Sequence, residues 1–469
     1  MRNDKIRMVR IQLLMEEEKM KKGLAFLLAL AMSVSVFGCS SNGGTTSGSG
    51  EGNSQDASQA GDNSGASGDK IVLDVVTMTG YGNGLEANKE FMKRYTEEVN
   101  PNVEINLEEL SIDGSEWNVY VSKLATMAAS DALPDVFDMA TEGLQMVYKN
   151  KLAQPLNNYF DSHEGIYESV LEDTYDPKLI EPFIDGEDVY GLVTMWNPCI
   201  THLNTDYLKE AGLSLPGEDW DTDEFLRYCE ALTKTNDDGS KRYALLVPDY
   251  YFATSAWLFA WDASFLNDDW TQAACDSENA IACFQFIHDL IYKYQYAPVP
   301  QPNDNYQQMF VDGQIAMITA GRWPLATYEA NGFRTVGVQY NPSFKTQANV
   351  YGTQGFMISS TTDHYDEACE FLVWTASDAF IKEFVKFGST PSRLECGEEI
   401  IESAGYPENR EIYFETLTKG MKSVEAPTSY ADLGTIFDTY FSMMMTDENA
   451  DIASICQQMA DEMDVALQK

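Results

Sequence analysis

The chain carries 8 tryptophans, 25 tyrosines and 23 phenylalanines, and several of them stand beside planar polar groups. Trp196 is followed by Asn197, and Arg322-Trp323 follows Gly321. Trp257 and Trp261 lie four residues apart, so on a helix they share one face. Flat aromatic surfaces with a few planar polar groups suit a ligand that presents both apolar C–H faces and hydroxyls. Tyr81 follows the first predicted strand and Glu142 the third, at the strand ends where open α/β sheets place ligands. Gly355 permits close backbone approach. These residues are the candidate ligand contacts. For each tryptophan the competing explanation is ordinary core packing, and for Arg322 it is an ion pair with a surface carboxylate. Trp117, Trp220, Trp270 and Trp374 are read as structural.

Catalytic constellations are thin. The histidines are His163, His202, His288 and His364, none in HExxH spacing, and there is no Walker loop, GxSxG or GxGxxG after the first strand. Asp219, Asp221, Asp223 and Glu230 copy the acidic positions of a calcium loop, but Glu224 stands where the sharp turn needs glycine. Asp221 is better read as a helix cap whose neighbouring acids suit the helix dipole. No catalytic residue, metal or cofactor is expected.

Composition narrows the classes further. The 469 residues hold 74 Asp+Glu against 31 Lys+Arg, a formal charge of −43. Such a chain cannot neutralise a phosphate backbone, which excludes nucleic acid, nor adhere to anionic lipid through a basic face. A 44% hydrophobic and 12% aromatic content excludes a disordered acidic tail. The acid excess reads as a solvated surface.

The first 38 residues read as a signal peptide, with the natural start expected at Met20. Lys19, Lys21 and Lys22 precede an apolar run from Gly23 to Phe37, too short for a spanning helix. Val36-Phe37-Gly38-Cys39 resembles the bacterial lipoprotein box, which implies lipidation at Cys39 and an anchor on the extracytoplasmic face of the cell membrane. The rest of 39–69 is a Gly/Ser-rich linker with an r.m.s. reach of roughly 30 Å. Seven cysteines remain, and their scatter makes no disulfide framework or CxxC knuckle. Most are expected to be buried small hydrophobes, with Cys275 and Cys283 the one conceivable pair.

From Lys70 onward strands and helices alternate, which implies an α/β fold with a largely parallel sheet. Ile71 to Val76 reads as a buried strand, Leu85 to Glu98 as an amphipathic helix stopped by Asn100-Pro101, Val103 to Leu107 as a second strand and Trp117 to Ala129 as a helix. A third strand opens at Leu133-Pro134-Asp135. The C-terminal methionines, Met443 to Met445, Met459 and Met463, recur at helical spacing and are read as core.

Several segments together resemble the family 1 extracellular solute-binding proteins of ABC importers, whose best-studied members bind maltose and other oligosaccharides. Phe310 to Trp323 looks like that family's F-x-x-G-x-x-A-M-x-x-x-G-x-W segment. Gly352 to Ser359 looks like the strand recrossing its hinge, and Tyr365 to Trp374 resembles the helix that follows. Pro134-Asp135-Val136 and Leu152 to Leu156 match its first lobe. The number, order and spacing of these segments make the match specific.

The resemblance implies a two-lobe, type II periplasmic-binding-protein-like fold with lobes discontinuous in sequence and joined by hinge strands. Lobe one would take 70–195 plus 355–386, and lobe two 200–350 plus 390–469. Aromatics at Trp196, Trp257 and Trp323 would stack on sugar rings. The implied protein is a monomeric, lipid-anchored, non-enzymatic receptor that delivers a carbohydrate to ABC transporter permease subunits. Alternatives are an anchored glycan hydrolase or lyase using two of the many carboxylates, or a receptor for a non-sugar solute such as a peptide or polyamine.

Overall fold

The structure is a computed structural model that describes residues 70–78, 84–110, 117–172, 176–301, 304–385 and 388–468. The signal peptide, Cys39, the linker and Tyr81 lie outside the described residues. The strands in chain order are β1 (Ile71–Met78), β2 (Val103–Leu110), β3 (Val136–Ala140), β4 (Ala153–Gln154), β5 (Ile184–Asp185), β6 (Asp188–Val189), β7 (Gly191–Pro198) and β8 (Ile200–Asn204). They continue with β9 (Lys234–Thr235), β10 (Lys241–Leu245), β11 (Ile315–Ala320), β12 (Val336–Gln339), β13 (Asn349–Ser359), β14 (Thr390–Pro391) and β15 (Met421–Ser423).

Two sheets carry the site. The larger runs β14-β7-β13-β3-β1-β2, with β15 and β4 also pairing with β13; the smaller runs β12-β8-β11-β10-β9. In the larger sheet β1 is parallel to β2 and β3, so the carboxyl ends of these strands share one edge. In the smaller sheet β10 and β11 are parallel. Residues along β3, β8, β11 and β12 are buried without alternation, as strands covered on both faces require. β1 differs from the expected continuous burial, because Val72 is exposed and Asp74 points outward, where its N–H donates to the Asp135 carboxylate.

The chain passes between the sheets more than once. Only Cys199 separates β7 from β8, and its N–H donates to the Val350 carbonyl of β13. The chain returns between β12 and β13, and after β15 it leads into the helices Tyr430–Thr446 and Ile452–Leu467. These pack with the helices Tyr251–Ala260 and Glu278–Tyr292 in one apolar core, where Met444, Met445, Met459 and Met463 are buried. Two other cores line the larger sheet, one with Leu73, Val75 and Phe356, the other with Val76, Phe137 and Met357.

The stretch expected in lobe two from residue 390 divides. β14 pairs with β7 and β15 with β13, so both join the larger sheet, and Tyr413, Phe414 and Leu417 enter its core. Strands of two and three residues leave no periodicity in sequence, so this return is invisible without the fold. His202 of β8 bonds Tyr328 and, 3.2 Å away, Tyr413, which ties the smaller sheet to this returning segment. All seven cysteines after Cys39 are buried and unpaired. Asp221 caps the helix Thr222–Leu232, accepting from the Glu224 N–H. Among the described residues no helix is long and apolar enough to cross a membrane.

Candidate functional site

Three strands, β3 from the larger sheet and the parallel pair β10 and β11 from the smaller, lead into a common region. β3 gives way directly to the helix Thr141–Asn150, whose start is pinned to β13: the Thr353 N–H donates to Thr141 Oγ1 at 2.9 Å. This places Glu142 against Gly352. From the smaller sheet, the segment after β10 brings Phe252 to the same glycine. A Cβ built on Gly352 would lie 3.2 Å from Phe252 Cε2 and 3.6 Å from Glu142 Oε2, so the two side chains meet over a bare stretch of β13.

β11 supplies the third wall. It ends at Ala320, and Gly321-Arg322-Trp323 turns into the helix Pro324–Ala330. A Cβ on Gly321 would sit 2.1 Å from Trp323 Cζ3 and 2.9 Å from Asn197 Cβ. The indole therefore lies across the glycine beside Asn197, a position any larger residue would deny it. Trp323 is half-buried. Its Nε1 donates to the Tyr306 hydroxyl at 2.6 Å, and its ring meets Phe252 edge-on at 6.1 Å. Tyr306 in turn stacks on Tyr250 at 6.0 Å. The result is an aromatic row, Tyr250–Tyr306–Trp323–Phe252, that ends at a carboxylate. Beside Tyr250 and Tyr306 a small hollow is lined by Asp249, Pro248 and Thr319.

The polar groups of this row are unusual. Glu142 Oε2 is sealed from solvent and has no hydrogen-bond partner. Burial pushes its carboxyl up to about 7, with only its own backbone N–H opposing. Burial likewise pushes Asp249 up to about 6, helped by Asp304 and Asp438. Arg322 is turned away from the row. Its buried guanidinium donates to the Ser389 and Val385 carbonyls, and burial lowers it to about 10. Asn197 joins the sheets: its Oδ1 accepts from the Arg322 N–H at 2.9 Å and its Nδ2 donates to Ser389 Oγ at 3.0 Å.

Of the sequence candidates, the structure brings together Glu142, Asn197 and Trp323. Arg322 is a brace behind them rather than a group facing the row. Trp196 is fully buried, its Nε1 donating to the Pro391 carbonyl at 3.1 Å, so it stands in the core beneath β14 and offers no free face. Trp257 is 1% exposed, bonded to Thr319 Oγ1 and enclosed by Phe225 and Phe344. Trp261 shares its helical face, as the spacing predicts, but that face packs on Phe286 and Phe344, with Lys345 over the ring. Gly355 serves strand pairing: a Cβ there would lie 2.1 Å from the Leu192 carbonyl oxygen, beside a register shift. Tyr81 and Cys39 lie outside the described residues.

Sequence reasoning missed Asp249, Tyr250, Phe252, Tyr306 and Gly352. The run Pro248 to Phe252 carried a signal, since it follows a strand end just as Glu142 does. Tyr306 carried none, because the loop before it has no periodicity.

Comparison with known proteins gives a consistent result. A family model described as bacterial extracellular solute-binding protein matches residues 81–380. An ABC substrate-binding protein from Listeria monocytogenes, solved in complex with cycloalternan, superposes with a TM-score of 0.74 at 19% identity, covering 85% of this chain and 100% of that one. A solute-binding protein from Thermotoga lettingae bound with α-D-tagatose gives 0.72 at 19% identity, again over 85% and 100%. The maltose/maltodextrin-binding domain from Bdellovibrio bacteriovorus, bound to maltotriose, gives 0.70 at 16% identity over 85% and 100%.

Proposed function

The chain belongs to the bacterial extracellular solute-binding protein family and has its two-lobe, type II α/β fold, and on that premise we propose that it captures a sugar or oligosaccharide between its sheets. It then delivers the sugar to the permease of an ABC importer. The observation that carries this reading is the aromatic row Tyr250–Tyr306–Trp323–Phe252 meeting Glu142 at Gly352. Stacked rings supply apolar faces for sugar C–H groups, and an unpartnered carboxyl accepts hydroxyl hydrogen bonds. The structures compared above hold cycloalternan, tagatose and maltotriose, which supports a saccharide here.

The lobes in this reading follow the sheets, with Cys199, the β12–β13 connection and the segment after β15 as the passages between them. The protein acts without bond cleavage, as a monomer held to the outer face of the cell membrane by a lipid on Cys39. A thermal-shift screen of mono- and oligosaccharides tests the binding function, because a ligand that binds only the folded form raises the melting temperature by mass action. Release of reducing sugar from a bound glycan would overturn the non-enzymatic part. Membrane association that survives Cys39→Ser would overturn the anchor.

A further inference from the structure

We infer that the saccharide this cleft takes carries a protonated amine, which Glu142 receives while Trp323 and Phe252 cover the adjoining face; the inference rests on the sugar-binding reading above. It begins with Glu142 Oε2, sealed from water and bonded to nothing. A carboxylate removed from water without a partner is costly, and a cation is the partner that repairs it best. The helix Thr141–Asn150 is pinned to β13 through Thr141 and Thr353, which fixes the backbone from which the carboxyl projects.

The rest of the wall has the same sign. Asp249 lies in the hollow beside Tyr250 and Tyr306, and neither it nor Glu142 forms an ion pair among the described residues. The guanidinium of Arg322, next to Trp323 in sequence, is committed to the Ser389 and Val385 carbonyls. The named wall thus holds two carboxyls and, among the described residues, no inward cation, while the partly buried rings of Tyr250, Tyr306 and Trp323 stand beside them and attract an ammonium. A formal charge of −43 steers cations toward the protein and repels uronic acids and sugar phosphates. Burial raises both carboxyls, to about 7 and about 6, and an ammonium at hydrogen-bond distance would draw them back to the ionised form. A neutral sugar's hydroxyl offsets only part of that cost, because its hydrogen bond to a carboxylate is weaker than an ammonium's.

Calorimetric titration of the purified protein with matched pairs tests this. The probes are glucosamine against glucose, galactosamine against galactose, mannosamine against mannose, and the glucosamine trimer against cellotriose. The N-acetylated forms serve as controls of size without charge. The expected result is at least one pair whose amine member binds tenfold or more tighter than its neutral and acetylated counterparts. Glu142→Gln should remove that preference without lowering the melting temperature, and Asp249→Asn should reduce it. Neutral members that bind as tightly as their amines, or a preference that survives Glu142→Gln, would overturn the inference and leave sugar binding intact. Absence of binding by every saccharide, neutral ones included, would overturn both.

Discussion

At the scale of single residues, the tryptophans divide by what their indole nitrogens do. Trp323 gives its N–H to Tyr306 and keeps a half-exposed ring beside Phe252, whereas Trp196 and Trp257 spend theirs on Pro391 and Thr319 inside the core. Trp323→Ala should therefore lower sugar affinity by roughly tenfold, the worth of one good stacking contact, with a small change in melting temperature. Trp257→Ala should do the reverse, costing about 3–5 kcal/mol of stability through the cavity it leaves among Phe225, Phe286 and Phe344. Calorimetry paired with thermal unfolding separates the two. A Trp257→Ala protein of unchanged melting temperature that no longer binds would reverse the assignment. Residue type alone did not separate these tryptophans, since each carries the same flat ring and single N–H donor. Burial, which the fold decides, is what divides them. Glu142 was singled out in the sequence because it stands just inside the helix after a strand, a position that does not depend on distant contacts.

At the scale of elements, the readable ones were those whose own apolar spacing decides them. The helix Trp117–Ala129 and the strands β1 and β2 fall close to their predicted places. The helix predicted over 85–98 is α-helical to Arg94 and closes in a wider π turn over Tyr95–Val99, before the expected stop at Asn100. β14 and β15 were not readable, because their pairing partners lie far away in sequence and they have too few residues to show alternation. Two glycines test the connections between elements. At Gly355 an added Cβ meets the backbone of β7, which cannot rotate away, so Gly355→Ala should cost about 3 kcal/mol or more and lower the melting temperature. At Gly321 the added Cβ meets the Trp323 ring, which can swing aside, and Asn197 Cβ at 2.9 Å, which must shift with its strand. Gly321→Ala should then lower the melting temperature less than Gly355→Ala and weaken binding through the displaced indole. Equal melting temperatures for Gly355→Ala and the unaltered protein would show that the close β7–β13 approach is not required.

At the scale of the whole molecule, buried acids set the response to pH. Asp138 beneath β1, Glu142 in the cleft and Glu425 against the Phe265 and Leu266 amides are each pushed up to about 7 by burial, and Asp249 to about 6. In the unfolded chain such groups titrate near 4. Between those values the folded form holds protons that the unfolded form has lost. Stability is therefore fully present below about pH 4 for these groups, and it falls as pH rises through 6 and 7. Each group accounts for roughly 2–4 kcal/mol across its shift. Glu210 acts oppositely: Arg242 and Lys234 hold it down to about 2, so its effect appears only in stronger acid. The unliganded protein should accordingly lose melting temperature from pH 5 to about pH 7 and level off above it, and Glu142→Gln should flatten part of that slope. A melting temperature that rises over this interval would mean the four carboxyls are solvated rather than buried. Ligand binding feeds on the same architecture. Glu142 belongs to the larger sheet and Trp323 to the smaller, so a sugar touching both is bound best when the sheets approach, and it selects that state. Such a closure would be confined to the few residues of the passages, Cys199 among them, because the sheets and their cores are closely packed. Small-angle scattering should then show a smaller radius of gyration at saturating ligand. The Trp323→Ala protein should require more ligand to reach the same compact form, and an unchanged radius at full occupancy would exclude closure as the means of capture.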